Sequence, residues 1–248
     1  MIFGMEQARF YCSSIVQPVA ELSGAEAHHL SAVLRLRAGD EVELFDGDGT
    51  VAAAVIEKAD SRKVTLRVMD LKTAARRMRG RIAIAPSIAK GERFDWLVGK
   101  CTELGVDRIM PVLFERTVRQ PKKASIVERW KNVVISASKQ CGRAFLPQID
   151  KPTRLAEVLD VLNSDYTEGR FLVGSLSVAA GLVDQRFDGR DMAAFVGPEG
   201  GLTEQEEDLL RARGAEFVAL TDTVLRVETA GVAFVAILAA QRAAAQMK

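Results

Sequence analysis

The sequence predicts two consecutive domains: a small, mostly β module that closes into a barrel, then a larger α/β domain with a largely parallel sheet. Three observations predict this. Up to about residue 72, apolar and polar residues alternate with the period of half-buried strands. Residues 73–80, Thr-Ala-Ala-Arg-Arg-Met-Arg-Gly, are basic and aperiodic and read as a linker. Beyond them, short β-like runs alternate with segments of helical period, the mark of strand–helix–strand units. The predicted domains are residues 1–74 and 75–248.

In the first domain, Gly24 to Arg37 carries Ala27, Leu30, Val33 and Leu34 at helical spacing. Glu41-Val-Glu-Leu-Phe45 alternates like a strand, Asp46-Gly-Asp-Gly49 is a turn cluster, and Thr50 to Ile56 returns as the second arm of a hairpin. Arg62 to Val68 alternates again, with Val64, Leu66 and Val68 on one face. In the second domain, strands are predicted at 81–86, 106–113, 170–174, 192–197 and 216–220. Helices are predicted at 95–104 (Leu97, Val98, Cys101 and Leu104, with Gly105 as its cap), 125–141 (Ile126, Trp130, Val133, Val134 and Ala137), 204–213 and 229–246. Trp96 and Trp130 are expected to pack in helix cores.

Composition excludes several classes. With 48% hydrophobic and 27% charged residues, the chain is neither disordered nor collagen-like. Cys12, Cys101 and Cys141 are few and widely spaced, with no Cys-x-x-Cys, so neither a disulfide framework nor a zinc knuckle is indicated; a reduced, cytoplasmic protein is expected. The opening Met1 to Glu6 lacks a basic segment followed by an apolar one, so no secretory signal is expected. The apolar stretch Ala230–Ala240 is about half a bilayer span, and no membrane segment is expected. His28 and His29, the only histidines, lack metal-ligand spacing, so no metal is expected. There is no Gly-x-Ser-x-Gly hydrolase elbow.

Net charge is +1, but unevenly distributed: residues 73–155 hold 18 Lys/Arg against 7 Asp/Glu. Lys90, Arg93, Lys100, Arg116, Arg119, Lys122, Lys123, Arg129, Lys131, Lys139 and Arg143 lie there. Such a basic segment in a near-neutral chain points to a polyanion, with nucleic acid the leading candidate.

Two motifs carry chemistry. In Val196-Gly-Pro-Glu-Gly-Gly-Leu-Thr203 a buried strand runs into a glycine-rich turn, and Thr203 with Glu206 forms a capping box opening a helix. The run is no P-loop, and no Gly-x-Gly-x-x-Gly follows a strand, so a Rossmann oxidoreductase is disfavoured. In Thr221-Asp-Thr-Val-Leu-Arg-Val-Glu-Thr-Ala230, Arg226 and Glu228 sit in an apolar setting, costly unless paired or bound to something. A structural ion pair and a ligand-binding pair both answer that cost. The apolar helix that follows is expected inside the domain or at a subunit contact.

Together these pieces resemble a family. Ala27-His-His-Leu-Ser-Ala-Val-Leu-Arg35 with Gly39-Asp40 and the Phe45-Asp-Gly hairpin is similar to the N-terminal PUA-like domain of RsmE-type 16S rRNA (uracil-N3) methyltransferases. Glu103-Leu-Gly-Val, Glu115-Arg-Thr-Val, the Trp130 helix ending Gln140-Cys-Gly-Arg143, Gly197-Pro-Glu-Gly-Gly201 and Leu225-Arg-Val-Glu-Thr-Ala230 resemble its C-terminal domain in order and spacing. Lys139 stands where some members carry an acid. The resemblance implies a SPOUT fold with a trefoil knot, a homodimer, S-adenosylmethionine as methyl donor, and N3 of a 16S rRNA uridine, U1498, as acceptor.

It also implies a donor pocket of three loops, holding Leu172, Gly174, Gly197, Pro198, Glu199, Gly200, Gly201, Leu220, Leu225 and Arg226. These are the carboxyl ends of three predicted strands, where α/β sheets place ligands. Glu228 is the candidate base or base-positioner and Arg226 the candidate for charge developing on a uracil oxygen. The candidate RNA-binding residues are Arg35, Lys90, Lys100, Arg116, Arg119, Lys122, Lys123, Gln140 and Arg143, gripping phosphates of the small ribosomal subunit. The competing reading is a non-catalytic RNA-binding assembly factor, which needs the basic surface but not the glycine loop.

Overall fold

A computed structural model of the chain describes residues 7–118, 125–176, 178, 180–182 and 187–246. It divides into two compact units: Met1–Arg76 with Ser138–Leu146, and Arg77–Ala137 with Pro147–Lys248.

The first unit holds one five-stranded sheet: β1 (Ala8–Tyr11), β2 (Val19–Ser23), β3 (Glu41–Phe45), β4 (Thr50–Ala59) and β5 (Lys63–Thr73). The strand order is β1-β3-β4-β5-β2, parallel between β1 and β3 and antiparallel elsewhere. The predicted hairpin is β3–β4, with Val42 opposite Ala54 and Leu44 opposite Ala52. Asp46 closes its turn, Oδ1 accepting from the amides of Asp48 and Thr50. Alternate residues of all five strands, among them Phe10, Leu22, Leu44, Ile56 and Leu66, share one core with Ala27 and Leu30.

The helix between β2 and β3 is shorter than predicted. It comprises α1 (Gly24–His28) and a π-helical turn over His29–Val33. Val33 and Leu34 are exposed, and Arg35 takes a left-handed φ of 57°. The wider π turn breaks the 3.6-residue stripe that Val33 and Leu34 would have continued. The end of the long helix described below belongs to this unit. The buried Arg9 donates to the carbonyl of Ser138 (3.0 Å), and Lys139 Nζ lies 2.9 Å from Glu26 Oε2 and over the Phe10 ring.

The second unit contains β6 (Ile82–Pro86), α2 (Glu92–Glu103), β7 (Arg108–Ile109), β8 (Val112–Leu113), most of α3 (Ser125–Cys141), β9 (Gln148–Ile149), β10 (Thr153–Arg154), α4 (Leu155–Asp165), β11 (Arg170–Gly174), β12 (Met192–Val196), α5 (Glu204–Ala212), β13 (Glu216–Val218) and α6 (Val227–Gln246). Six strands form one parallel sheet, ordered β13-β11-β12-β6-β7-β9; β8 and β10 pair separately. β6 and β12 are buried at every residue, as central strands covered on both faces must be. The strand predicted over 106–113 is two short ones, broken at Met110-Pro111, where proline has no amide to give the ladder. α4 went unpredicted, although Leu155, Val158, Leu159 and Leu162 recur at helical spacing and are buried.

Trp96 is not in a core. The buried stripe of α2 is Phe94, Leu97, Val98 and Cys101, and Trp96 falls about 100° around the helix from Leu97, leaving it 49% exposed. Trp130 is buried against Phe94. Among the described residues, α6 is long and apolar enough to cross a membrane by length and composition, exceeding the stretch read from the sequence. Here it is a core helix: it packs on β6, β12 and α2, with Phe234, Val235 and Leu238 fully buried.

Candidate active site

Three neighbouring parallel strands, β13, β11 and β12, end on the same edge of the sheet, and the loops beyond them enclose a cleft of about 720 Å³. That volume suits a small-molecule ligand.

Gly174 ends β11. A Cβ there would lie 3.0 Å from Phe234, so glycine lets α6 pack close to the strand. The loop after β12 turns at Pro198, whose carbonyl accepts from the Gly201 amide (2.8 Å), with Gly201 at φ +75°. The predicted capping box forms: Thr203 Oγ1 accepts from the Glu206 amide and Glu206 Oε2 accepts from the Thr203 amide. The other oxygen of Glu206 accepts from the Glu115 amide (2.8 Å), and Arg116 Nη1 donates to the carbonyls of Gly200 (2.9 Å) and Leu202 (3.2 Å). The loop after β13 is pinned by Thr221 Oγ1, which accepts from the Thr223 amide. Leu176 and Val224, 51% and 84% exposed, add apolar surface to the cleft wall.

Of the residues predicted to hold the donor, Gly174, Gly197, Pro198, Glu199, Gly201, Leu220, Leu225 and Arg226 line the cleft. Leu172 and Gly200 do not. Leu172 is wholly buried within β11, and a Cβ on Gly200 would face Arg116. The shared apolar setting expected for Arg226 and Glu228 needs correction. Arg226 is exposed on the cleft, while the Glu228 side chain is only 10% exposed and absent from the lining. Arg226 precedes α6 and Glu228 lies in its first turn, and no ion pair joins the two side chains. Glu228 instead has Arg93 3.9 Å away, and its Oε2 is buried with no hydrogen-bond partner.

Arg93 lines the cleft and was read from the sequence only as one of the basic residues. No local signal in the sequence marks it: α2 begins just after β6, and β6 neighbours β12 only in the folded sheet, which brings its strand end to the same cleft.

The pattern of an RNA methyltransferase domain matches residues 76–239, and that of an RNA methyltransferase PUA domain matches residues 22–69. Ribosomal RNA small subunit methyltransferase E of Synechocystis is 30% identical over 87% of this chain and 71% of its own. The chain belongs to the ribosomal RNA small subunit methyltransferase E family. Two solved structures are also similar. A Legionella pneumophila methyltransferase with bound SAM has 31% identity and a TM-score of 0.85, covering 94% of this chain and 97% of its own. The Neisseria gonorrhoeae ribosomal RNA small subunit methyltransferase E bound to S-adenosyl methionine has 32% identity and a TM-score of 0.82, covering 93% and 95%.

In this family member the predicted RNA-binding residues have varied surroundings. Arg35, Gln140 and Arg143 belong to the first unit; Arg35 and Gln140 are exposed, and Arg143 Nε donates to the Phe145 carbonyl. Lys90 is exposed in the second unit. Lys100 is paired with Glu103, and Arg116 braces the glycine loop. Arg119, Lys122 and Lys123 lie outside the described residues. Elsewhere in the basic segment, Arg129, Lys131 and Lys139 pair with Asp95, Glu128 and Glu26. Its cationic field is therefore weaker than the residue count implies.

Proposed function

We propose that the chain methylates N3 of U1498 in 16S rRNA with S-adenosylmethionine as donor. The observation that carries the reading is the cleft itself: backbone-rich loops at the carboxyl ends of three adjacent parallel strands, with apolar walls and a charged rim. Family membership and the relatives solved with that donor support it. Gly197, Gly201, Leu220 and Leu225 would hold the donor, the glycines by close backbone approach and the leucines by apolar contact.

When bound, S-adenosylmethionine supplies an electrophilic methyl group on a positively charged sulfur. The chain's own residues make the acceptor competent. Uracil N3 carries a proton and is a poor nucleophile while it keeps it. Glu228, whose Oε1 lies 3.9 Å from the cleft-lining Arg93, takes that proton, and Arg226, exposed on the cleft, offers its guanidinium to the negative charge growing on a uracil oxygen. The loops position the two reactants, and such alignment supplies much of the rate.

The same reading carries a trefoil knot in the second unit, a homodimer, a cytoplasmic location, and the PUA domain with the exposed basic residues as the grip on small-subunit rRNA. The test is reverse transcription across position 1498 of 16S rRNA from a deletion strain, with and without the restored gene. N3 methylation blocks base pairing and halts extension, so the stop should vanish on deletion and return on complementation. A stop that persists in the deletion strain refutes the assignment. Calorimetry showing no affinity for S-adenosylmethionine would favour the non-catalytic assembly factor.

A further inference from the structure

Arg93 ties together two walls of the cleft. From the first turn of α2 its guanidinium reaches between two carboxylates: Nη1 lies 3.6 Å from Glu199 Oε1 on the glycine loop, and Nε lies 3.9 Å from Glu228 Oε1 at the start of α6. Side-chain exposure falls inward along this line, from 64% for Glu199 through 45% for Arg93 to 10% for Glu228. A buried carboxylate without a partner charge is strongly unfavourable. Arg93 is the cation recorded within 4 Å of Glu228 among the described residues. It addresses Oε1 and leaves Oε2 without a hydrogen-bond partner.

We propose that Arg93 is the positioning residue of the reaction: it fixes the rotation of the Glu228 carboxylate, holding Oε1 beside its own guanidinium at the cleft, where a donor on the acceptor base meets it, while Oε2 stays buried behind. The inference rests on Glu228 as proton acceptor. Both contacts of Arg93 are longer than a hydrogen bond, so the open cleft leaves the pair loose. Filling the cleft excludes water and strengthens the attraction between Arg93 and the buried carboxylate. The carboxylate is then held hardest when the acceptor is in place.

A double-mutant cycle tests this in the full-length protein. Single-turnover methyl transfer to 16S rRNA is measured for wild type, Arg93→Met, Arg93→Lys, Glu228→Gln and Arg93→Met/Glu228→Gln, with S-adenosylmethionine affinity taken by calorimetry. Arg93→Met should slow transfer about a hundredfold, the scale of a misplaced catalytic group. Donor Kd should change by no more than about threefold, since the contact of Arg93 with Glu199 on the glycine loop is exposed and screened by water. Arg93→Lys should recover part of the rate, and the double variant should match Glu228→Gln. Multiplicative losses, or a loss confined to donor Kd, overturn the proposal while leaving the activity standing. If Arg93→Met melts early, Arg93→Gln takes its place in the cycle. A wild-type protein that transfers no methyl group at all overturns the functional reading and this inference together.

Discussion

Arg116 donates from Nη1 to the carbonyl oxygen of Gly200 at 2.9 Å, and from the same nitrogen to that of Leu202 at 3.2 Å. One guanidinium thus spans the turn of the Gly197–Gly201 loop, and the neighbouring Glu115 amide is tied to the loop's capping glutamate, Glu206. The sequence places Arg116 in a cationic stretch suited to phosphates. The structure gives it a different occupation, holding the backbone of the glycine loop beside the cleft.

Arg116→Ala should therefore weaken S-adenosylmethionine binding roughly tenfold, the value of one charge-assisted hydrogen bond. It should leave the salt dependence of rRNA binding unchanged. A phosphate contact would behave oppositely, lowering affinity for RNA of any sequence and reducing the salt slope by about one. Calorimetry with the donor and a salt titration of RNA binding separate the two. Arg116→Lys should recover part of the affinity, because both bonds come from one nitrogen, Nη1, whose two donors an ammonium can imitate.

The parts of the fold most legible in the sequence are those where period and punctuation agree. The β3–β4 hairpin with its Asp46 turn, the buried run of β12 and the Thr203–Glu206 cap all announce themselves locally. What stays hidden depends on distant partners. Trp96 and Leu97 are both large and apolar, and only the position of β6 and α6 decides which faces inward. Arg226 and Glu228 look like a pair in the chain, but Arg226 stays exposed before α6 while Glu228 is buried in its first turn. Lys139 reads as one more surface cation until the end of α3 meets Glu26. The glycine loop is legible in the sequence as a strand-to-helix turn, whereas the place of Arg93 on the same cleft is not, because the adjacency of β6 and β12 is long-range.

That Lys139–Glu26 pair gives a second prediction. Both side chains are mostly buried, at 16% and 21% exposure, and Lys139 also lies 5.1 Å from the Phe10 ring centroid. Lys139→Ala leaves a half-buried carboxylate that still accepts from the Tyr11 amide. The cost should fall between that of an exposed pair and a fully buried one, about 2 kcal/mol. Urea unfolding should show it, with rRNA affinity at fixed salt unaltered. A large loss of RNA affinity in a stably folded variant would return Lys139 to the binding surface.

Arg242 is a stronger case. It lies near the end of α6, 7% exposed, with Nη1 2.8 Å from Asp107 Oδ2 and Nη2 donating to the Gly105 carbonyl at 2.8 Å. Burial pushes its guanidinium below the usual arginine range, while Asp107 opposes that shift. Asp107 Oδ2 also accepts from the Ile82 amide at the head of β6, so one carboxylate pins helix and sheet together. Arg242→Met should destabilise the chain by about 3–5 kcal/mol, because it strands a partly buried carboxylate. Adding Asp107→Asn should recover part of the loss. Equal or greater destabilisation in the double variant would show that the bonds to Gly105 and Ile82, not the charge pair, hold this corner.

The cysteines allow a test of the packing. Cys12 and Cys101 are buried and Cys141 is exposed. Burial pushes the Cys101 thiol up to about 12 and raises that of Cys12 as well, so neither ionises near neutral pH. The thiolate is the reactive form. A disulfide reagent at pH 8 should therefore titrate one thiol quickly in the native protein, and that reaction should vanish in Cys141→Ser. The other two should react only on the timescale of unfolding, and all three at once in denaturant. Raising the pH from 8 to 9 should leave Cys101 silent, since pH 9 is still far below its titration. Fast labelling of Cys101 in the native state would mean that the contact between α2 and α6 opens more readily than its packing implies.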